Sequence, residues 1–420
     1  MPNLPVPGDR SQLPLLLLVG SGDRRYREYI LAALHPHFRL WLVDLVEPTW
    51  QLPYAEGVTA PVDVRDPDAL TAAARDLTRA LAPKGVFTYD ESMVVAVAHT
   101  ARALGLPGSP PEAVLACRDK ATTRSVLATA GVPQPLSEPV ATVDEALAAA
   151  VRIGYPVVIK ARGLAGSFGV VLVHDASAIN DAFAAASGAS WPGVPRYAAD
   201  VLVEEYLTGP EISVDAVIDN GVCTPLVLAR KETGLAPYFE ETGHGVDADD
   251  PLLADPELLD QLDRIHKSLG FTHGATHTEF RLTPDGPRLV EINARLGGDF
   301  IPRLGHLATG CDPSVAAAHV AAGLTPDTAP RHRRHAAIRF LYPPADCQVV
   351  ALTVHQDRFG PTIHQAVATA APGTRLALPP RGYLARYGHV IAVGEDPDQV
   401  AADLTAPNRL VELRAKLLSD

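Results

Sequence analysis

The sequence predicts a mixed fold, with a parallel α/β domain at the N-terminal end and α+β structure after it. Strand and helix patterns alternate between residues 15 and 89, hairpins with glycine turns follow, and several short strands lie in residues 331–420. With 420 residues, the chain is too long for one hydrophobic core and should divide into packed subdomains.

The composition excludes several classes of protein. A formal charge of −13 argues against a large nucleic-acid surface and against a basic membrane-binding patch. No run reaches the ~20 apolar residues that a membrane helix needs. The four cysteines are far apart and form no CxxC motif, which predicts a reducing, cytoplasmic location.

The N-terminal elements are strands at Leu15–Val19, Arg39–Val43 and 85–89, separated by a glycine turn and helical patterns. Asp90 and Glu91 follow the third strand. In open α/β sheets the carboxyl ends of strands face a ligand crevice, so Glu91 is a candidate ligand-binding residue. The alternative is that both acids cap the following helix.

Further helices are predicted from capping signals and periodicity. Ser109 should cap a helix that begins with proline, and Thr142 should cap another with Glu145 as its third residue. Residues 256–269 and 313–322 are also predicted as helices, and the chain is predicted to end in a charged helix.

A glycine-rich loop lies between two predicted strands, the first of which ends at Lys160. Residues 162–169 contain three glycines, and the backbone around Gly166 and Ser167 can approach phosphate oxygens closely. The loop is not a Walker motif, because no GK[ST] follows. The alternative is a bulged hairpin with no ligand.

A β-hairpin at residues 277–299 places acids opposite each other. Turn chemistry at residues 284–287 aligns Glu279 with Glu291 and puts Asn293 on the same face. Two carboxylates about 5 Å apart repel unless a cation lies between them, and Mg²⁺ prefers such oxygen ligands. The alternative is a surface hairpin with solvated acids. The side chains predicted to point into the core are Phe280, Val290 and Ile292.

The order of the polar residues along the chain suggests a nucleotide site. The sequence presents Lys120, Lys160 with the glycine loop, Glu204, Glu211, Lys231, Glu279, Glu291 and Asn293. Lysines and loop amides can hold a triphosphate, and the acids can hold a metal that bridges its phosphates. With EINAR at residues 291–295 and TEFR at 278–281, this order resembles the ATP-grasp superfamily over about residues 110–310.

The resemblance implies a domain organisation. It consists of an N-terminal pre-ATP-grasp α/β domain (1–108), a two-part ATP-binding core (109–330) with a lid at about 140–205, and a small C-terminal α+β subdomain (331–420).

The resemblance also implies roles in binding ATP and Mg²⁺. Lys120 and Lys160 would contact the α and β phosphates. The segment EEYLTGPE resembles the adenosine-binding segment, in which Glu204 and the backbone near Tyr206 and Leu207 would meet adenine and Glu211 would bind the ribose hydroxyls. The residues that would hold two Mg²⁺ ions, with Mn²⁺ as a substitute, are Glu279, Glu291 and Asn293. Lys231 and His277 would lie near the γ-phosphate.

Within the superfamily, three stretches resemble the amino-acid ligases that form dipeptides: TYDE at 88, RKETGLAPYFEETGHG at 230 and EINARLGGDFIPRL at 291. This resemblance implies that a carboxylate attacks the γ-phosphate and that an amine then displaces phosphate. Arg295 would stabilise the developing negative charge. Glu241 and His244 would orient the amino group of the first substrate, and Gly298 would permit close approach of the backbone.

One position departs from the resemblance. Some dipeptide ligases carry a bulky aromatic residue at the position of Asp299. An aspartate there would let the pocket accept a larger or cationic substrate side chain. The alternative is that Asp299 is a helix N-cap. Arg303 is a candidate binder of a carboxylate.

The expected function is an ATP-dependent ligase acting on two small molecules, a carboxylic acid and an amine. Neither nucleic acid nor membrane is an expected partner, and a homodimer would match many relatives. The alternatives are a carboxylase that uses carboxyphosphate and an ATP-binding protein without catalysis.

Overall fold

The computed structural model describes residues 10–192 and 194–418. The N-terminal elements are β1 (Leu15–Val19), α1 (Arg24–Leu34), β2 (Arg39–Val43), β3 (Ala55–Thr59), α2 (Pro67–Thr78), β4 (Gly85–Phe87) and α3 (Val94–Leu104). They form a parallel sheet in the order β3-β2-β1-β4. Every residue of β1 is buried, because this interior strand has neighbours on both sides and is covered on both faces.

The next segment contains α4 (Pro111–Arg118), α5 (Lys120–Thr129), β5 (Ser137–Val140), α6 (Val143–Ile153), β6 (Val157–Ala161), β7 (Val171–Val173), α7 (Ile179–Gly188) and β8 (Val201–Glu205). Its strands form an antiparallel sheet in the order β5-β8-β6-β7, named here the lid sheet. Thr142 caps α6 as predicted, since its side chain accepts from the Glu145 amide.

The predicted cap at Ser109 is wrong. Pro110 occupies the N-cap position of α4. The Ser109 hydroxyl instead donates to the His273 carbonyl at 2.7 Å and accepts from the amides of Thr272 and His273. A contact with a loop that is distant in sequence therefore replaces the local capping bond.

The middle of the chain contains β9 (Glu211–Asp219), β10 (Val222–Gly234), β11 (Glu240–Asp247), α8 (Pro256–Leu269), β12 (Gly274–Thr283), β13 (Gly286–Asn293), α9 (Ile301–Thr309) and α10 (Pro313–Ala321). The C-terminal segment contains β14 (His335–Leu341), β15 (Cys347–Val354), β16 (Ile363–Ala368), β17 (Arg375–Leu376), β18 (Gly388–Gly394), α11 (Pro397–Asp403) and β19 (Val411–Leu417).

A long antiparallel sheet, named here the central sheet, joins these two segments. Its order is β13-β12-β9-β10-β11-β14-β18-β16, so three strands of the C-terminal segment extend it, while β17, β15 and β19 form a separate sheet. The predicted combination of a parallel α/β domain with antiparallel α+β structure is confirmed. The domain boundaries drawn from the resemblance stay predictions.

The predicted C-terminal charged helix is wrong, because residues 411–417 form β19 and pair with β15. Apolar and charged residues alternate in VELRAKL, and the charged ones are exposed while Val411 is buried. This period of two belongs to a strand with one solvated face.

The central sheet turns one row of polar side chains toward the lid sheet. In β9, Ile212 and Val214 pack in a core with α5 and α8, so Glu211, Ser213 and Asp215 alternate onto the opposite face. The other end of the central sheet packs with α9, α10 and the N-terminal domain. Among the helices that the structure describes, none is long and apolar enough to cross a membrane.

Candidate functional site

A cavity lies between the lid sheet and the central sheet. The predicted site residues that line it are Lys120, Lys160, Gly166, Ser167, Glu204, Tyr206, Leu207, Glu211, Lys231, Glu241, His277, Glu279, Glu291, Asn293, Arg295, Gly298 and Asp299. Glu91 and His244 lie behind this lining, in contact with residues that form it. Arg303 does not line the cavity. The structure thus gathers nearly all of these residues, and their individual roles stay predictions.

Arg303 lies on α9, near His306 and His364. Its half-buried side chain sits on a helix that begins after the cavity wall at Asp299. The structure therefore gives no support to its predicted role as a carboxylate binder.

One end of the cavity is apolar. Its lining includes Val158 of the lid sheet and Val170, which directly precedes β7, together with Leu207 after β8 and Phe239 before β11. The Tyr206 ring lies 6.4 Å from that of Phe239. A slot of this kind suits a flat, weakly polar ring.

Next to this slot, Glu204 is buried between two cations. Lys160 Nζ lies 2.6 Å from one carboxylate oxygen, and the Arg124 guanidinium binds both oxygens at 2.9 and 3.2 Å. Burial alone would raise the pKa of Glu204, but the charges of Arg124 and Lys160 outweigh it and lower the pKa to about 2. Two cations share one carboxylate, which leaves a net positive charge for an anionic ligand.

Lys120 connects the glycine-rich loop to the hairpin. Its ammonium group donates to the Leu164 carbonyl and lies 3.1 Å from Glu291 Oε1. Asp119, which caps α5, binds the Arg162 guanidinium through both oxygens at 2.6 and 2.7 Å. These contacts hold the start of the loop against the end of α4.

The tip of the glycine-rich loop is held by aromatic contacts. Ser167 has φ 60° and Gly166 has φ 71°, so the chain turns through the left-handed region there. The Phe168 ring lies 5.2 Å from Tyr383 and 5.6 Å from Trp191. The loop therefore packs against the C-terminal segment as well as the lid.

The predicted hairpin pairing is confirmed. Glu279 pairs with Glu291 and His277 pairs with Asn293. Pairing begins at Thr283 and Gly286, and a bulge at Val290 brings the two acids into register. The same bulge makes the prediction for Val290 wrong, because its side chain lines the cavity instead of the core.

Lys231 lies at the centre of an acidic cluster. Its Nζ is 2.8 Å from Glu211, 2.6 Å from Glu241 and 2.9 Å from Glu279. Burial alone would lower the pKa of Lys231, but the three carboxylates raise it well above its ordinary value. The cation therefore holds together acids contributed by three different strands, β9, β11 and β12.

His277 is fixed by two carboxylates. Its Nδ1 lies 2.7 Å from Asp215 Oδ1 and its Nε2 lies 3.0 Å from Glu279 Oε1. Burial opposes the charged ring, yet these bonds raise its pKa to about 9. Asp215 also accepts the Gly297 amide at 3.0 Å, which fixes the exit of the hairpin. No role was predicted for Asp215 from the sequence.

The acids of the hairpin fit a divalent metal ion. The Oε1 atoms of Glu279 and Glu291 face Lys231 and Lys120, whereas their Oε2 atoms have no hydrogen-bond partner within residues 10–192 and 194–418. The Asn293 amide lies 3.1 Å from Glu291 Oε1. Two carboxylates with free oxygens and an amide that can present its own oxygen form the donor set that Mg²⁺ prefers.

Arg295 extends from the hairpin exit into the cavity. Its Nε lies 2.6 Å from Glu91 Oε2, and its Nη1 donates to the Leu296 carbonyl. Glu91 Oε1 binds Arg118 at 2.5 Å, and Glu91 does not cap α3. Glu91 thus positions Arg295, and its predicted contact with substrate has no support in its placement.

The far end of the cavity contains Glu241, His244 and Asp299. His244 is fully buried, and its Nε2 lies 3.1 Å from Glu241 and 3.9 Å from Asp299. Burial would lower the pKa of His244, but the two carboxylates raise it. Asp299 is not a helix cap, since Phe300 with φ 63° occupies the cap position of α9. Instead, Asp299 binds both outer nitrogens of Arg386.

Sequence reasoning missed the basic residues Arg118, Arg124, Arg162 and Arg386. Arg386 lies 87 residues from Asp299, and Arg124 lies 80 residues from Glu204. A lone charge within an apolar stretch, as in YLARY around Arg386, could have indicated a buried ion pair, because such a charge requires a partner.

Comparisons with known proteins agree with this geometry. A family model described as an ATP-grasp domain matches residues 153–303, and one described as an ATP-grasp N-terminal domain matches residues 49–108. The uncharacterised protein y4rH of Sinorhizobium fredii (strain NBRC 101917 / NGR234) is 31% identical over 414 residues, which cover 94% of this chain and 81% of that protein.

Two further proteins are similar over different extents. Carnosine synthase 1 of Gallus gallus is 31% identical over 262 residues, which cover 59% of this chain but only 28% of the synthase. The crystal structure of an L-amino acid ligase from Bacillus licheniformis superposes with a TM-score of 0.78 at 19% identity, covering 96% of this chain and 99% of that one. The two matching models and the shared architecture establish that the chain belongs to the ATP-grasp family.

Proposed function

We propose that this protein is an ATP- and Mg²⁺-dependent ligase that joins the carboxylate of an amino acid or similar acid to an amine. The observation that carries the proposal is the set of groups that one cavity brings together. Its lining contains an apolar slot, the cations Lys120 and Lys160, the hairpin acids with Arg295, and the acids Glu241 and Asp299. A nucleotide and an organic acid can therefore bind in the same cavity.

The groups that line the cavity suggest which residues would bind ATP and the metal. Lys120, Lys160 and the loop around Gly166 would hold the phosphates, with the base in the slot next to Leu207. Glu211 would bind the ribose on releasing part of its contact with Lys231, which lies 2.8 Å away. Mg²⁺ held by Glu279, Glu291 and Asn293 would supply charge neutralisation of the phosphates.

The reaction has two steps. A carboxylate oxygen of the acid attacks the γ-phosphorus of ATP, the bond to the β-phosphate oxygen breaks, and ADP leaves. The neutral amine then attacks the acyl carbon, the C–N bond forms, and phosphate and a proton leave. Arg295 stabilises the negative charge that develops on the oxygens in both steps, and Glu91 fixes its guanidinium through a contact of 2.6 Å.

Phosphate release measured with ATP, Mg²⁺ and pairs of amino acids tests the proposal. We expect ADP and phosphate in equal amounts with an amide product. Formation of AMP and pyrophosphate, or no amide with any pair, would contradict the proposal. Release of ADP that depends on bicarbonate and yields no amide would indicate a carboxylase instead.

The variant Arg295→Ala separates a ligase from a protein that only binds ATP. We expect turnover to fall by at least 100-fold, in the range for lost oxyanion stabilisation, with ATP affinity changed less than threefold. Arg264→Ala removes an arginine from the exposed face of α8, where it pairs with Asp260, and serves as the control. Equal turnover of the two variants would exclude the role given to Arg295.

A further inference from the structure

The wall at the substrate end of the cavity is built around one buried arginine. Arg386 comes from the C-terminal segment and is 2% exposed, whereas its partner Asp299 is 22% exposed and faces the cavity. The Nη1 and Nη2 atoms of Arg386 bind the two carboxylate oxygens of Asp299 at 2.8 and 2.7 Å. Both side chains border the cavity, and the arginine holds the carboxylate in place.

The remaining contacts of Arg386 leave it little freedom to turn toward a ligand. Its Nε donates to the Tyr342 hydroxyl at 2.9 Å, and its Nη2 also donates to the Glu241 carbonyl at 3.0 Å. The Phe340 ring lies 3.7 Å from the centre of the guanidinium. One side chain thus joins β11, the end of β14 and the hairpin exit.

Apolar side chains complete this wall. Ile301 and Leu384 line the cavity on either side of the ion pair. Leu384 has φ 53°, and its amide lies 3.2 Å from a carboxylate oxygen of Glu240. A non-glycine residue in this conformation is uncommon, so the contacts of the segment 384–386 hold it in place.

The two acids at this wall, Asp299 and Glu241, already contact cations of the protein. A cation arriving at Asp299 would be attracted by the carboxylate but repelled by Arg386, which is in direct contact with it. Glu241 is bound by Lys231 at 2.6 Å, a cation that also contacts two other carboxylates, and by His244 at 3.1 Å. An anion would meet the exposed oxygens of both acids. Neither sign of charge gains much from binding here.

We propose that the Asp299–Arg386 pair determines side-chain specificity, and that this end of the cavity takes an amino acid with an uncharged side chain. The inference rests on the proposed ligase function and names the substrate class of the same site. From the sequence, Asp299 could have bound a cationic side chain of the substrate. In the structure, its cationic partner is the protein's own Arg386.

Binding of three amino acids of similar size in the presence of Mg²⁺ and a non-hydrolysable ATP analogue tests the proposal. Methionine, lysine and glutamate are titrated by calorimetry. For the natural protein we expect methionine to bind at least tenfold more tightly than either charged amino acid. Arg386→Met should raise the affinity for lysine relative to methionine at least tenfold, because it leaves Asp299 without its cation.

The reciprocal variants sharpen the test. Asp299→Asn leaves Arg386 unpaired and should raise the relative affinity for glutamate at least tenfold. The double variant Asp299→Asn/Arg386→Met should restore the natural preference, which a purely structural role of the pair does not predict. The double variant decides the question if either single variant does not fold, since it removes both charges and leaves neither of them uncompensated.

Arg230→Met is the matched control, because Arg230 binds both oxygens of Asp250 outside the cavity at 2.7 and 3.2 Å. Its affinity ratios should equal those of the natural protein. Ratios that move less than threefold in the folded Asp299 and Arg386 variants overturn the proposal, as does tightest binding of lysine or glutamate by the natural protein. A predicted switch in binding without amide formation would overturn the ligase function and leave the specificity role intact.

Discussion

The buried carboxylate of Glu204 allows a prediction whose size follows from the structure. The change is Glu204→Gln, which keeps the shape of the side chain and removes its charge. Arg124 and Lys160 would then remain buried without a counter-ion, since Glu204 is the acid that contacts both. Removing one partner of a buried ion pair costs about 3–5 kcal/mol, because the charge that remains is not compensated.

The pKa of Glu204 gives a second estimate of the same quantity. It falls from 4.5 to about 2, and each pKa unit corresponds to about 1.4 kcal/mol, so the ionised form contributes about 3 kcal/mol of stability. The side chain is only 4% exposed, so solvent screens little of this. Because the folded pKa is lowered, the contribution is present above pH 4.5 and is lost as the pH falls toward 2.

Chemical denaturation at pH 7 measures the effect. We expect Glu204→Gln to lower the free energy of unfolding by about 3–5 kcal/mol. Its neighbour Glu205 binds Arg288 at 2.8 Å but is 30% exposed, so Glu205→Gln should cost less than about 1 kcal/mol. Between pH 5 and pH 3, the difference between the natural protein and Glu204→Gln should shrink by about 2 kcal/mol. Equal costs for the two glutamine variants would refute the reasoning.

Two further predictions concern the hairpin. Glu279→Gln or Glu291→Gln should raise the Mg²⁺ concentration for half-maximal ADP formation at least tenfold, because each removes a charged metal ligand. Asp285→Asn, at the exposed turn, is the control. An unchanged Mg²⁺ requirement in the glutamine variants would exclude these acids from the metal site. Gly297→Ala would place a methyl group 2.9 Å from His277 Nδ1 and 3.1 Å from Asp215 Oδ1, so it should lower the free energy of unfolding by about 1–3 kcal/mol. The control is Gly298→Ala, whose added methyl group has no atom within 4 Å, so the free energy of unfolding should not change. Equal losses of stability in the two alanine variants would show that crowding at Gly297 is not the cause.

Local patterns predicted the elements that carry most of the cavity. The helix Pro256–Leu269 agrees with the structure to the residue, because a capping aspartate and a terminal glycine mark its two ends. The turn chemistry at residues 284–287 likewise marks the hairpin, and the predicted pairing of Glu279 with Glu291 is correct. Between the turn and this pair, however, the register shifts at the Val290 bulge, which the sequence does not mark.

The errors arise where distant contacts override local signals. Ser109 bonds to the loop before β12 instead of capping α4. The bulge at Val290 reverses the direction of one side chain, and no residue type near it marks the bulge. The ion pairs of Arg124 and Arg386 join segments at least 80 residues apart, so their partners could not be read from sequence spacing.

The central claim is that ATP activates a substrate carboxylate by transferring its γ-phosphoryl group to it. Transfer of ¹⁸O tests this most directly, with an acid labelled in both carboxylate oxygens and an amine that supports turnover. We predict one ¹⁸O atom in each released phosphate and one in each amide, because the carboxylate oxygen that attacks phosphorus leaves with it. Label in AMP, or unlabelled phosphate accompanying the amide, would contradict the account.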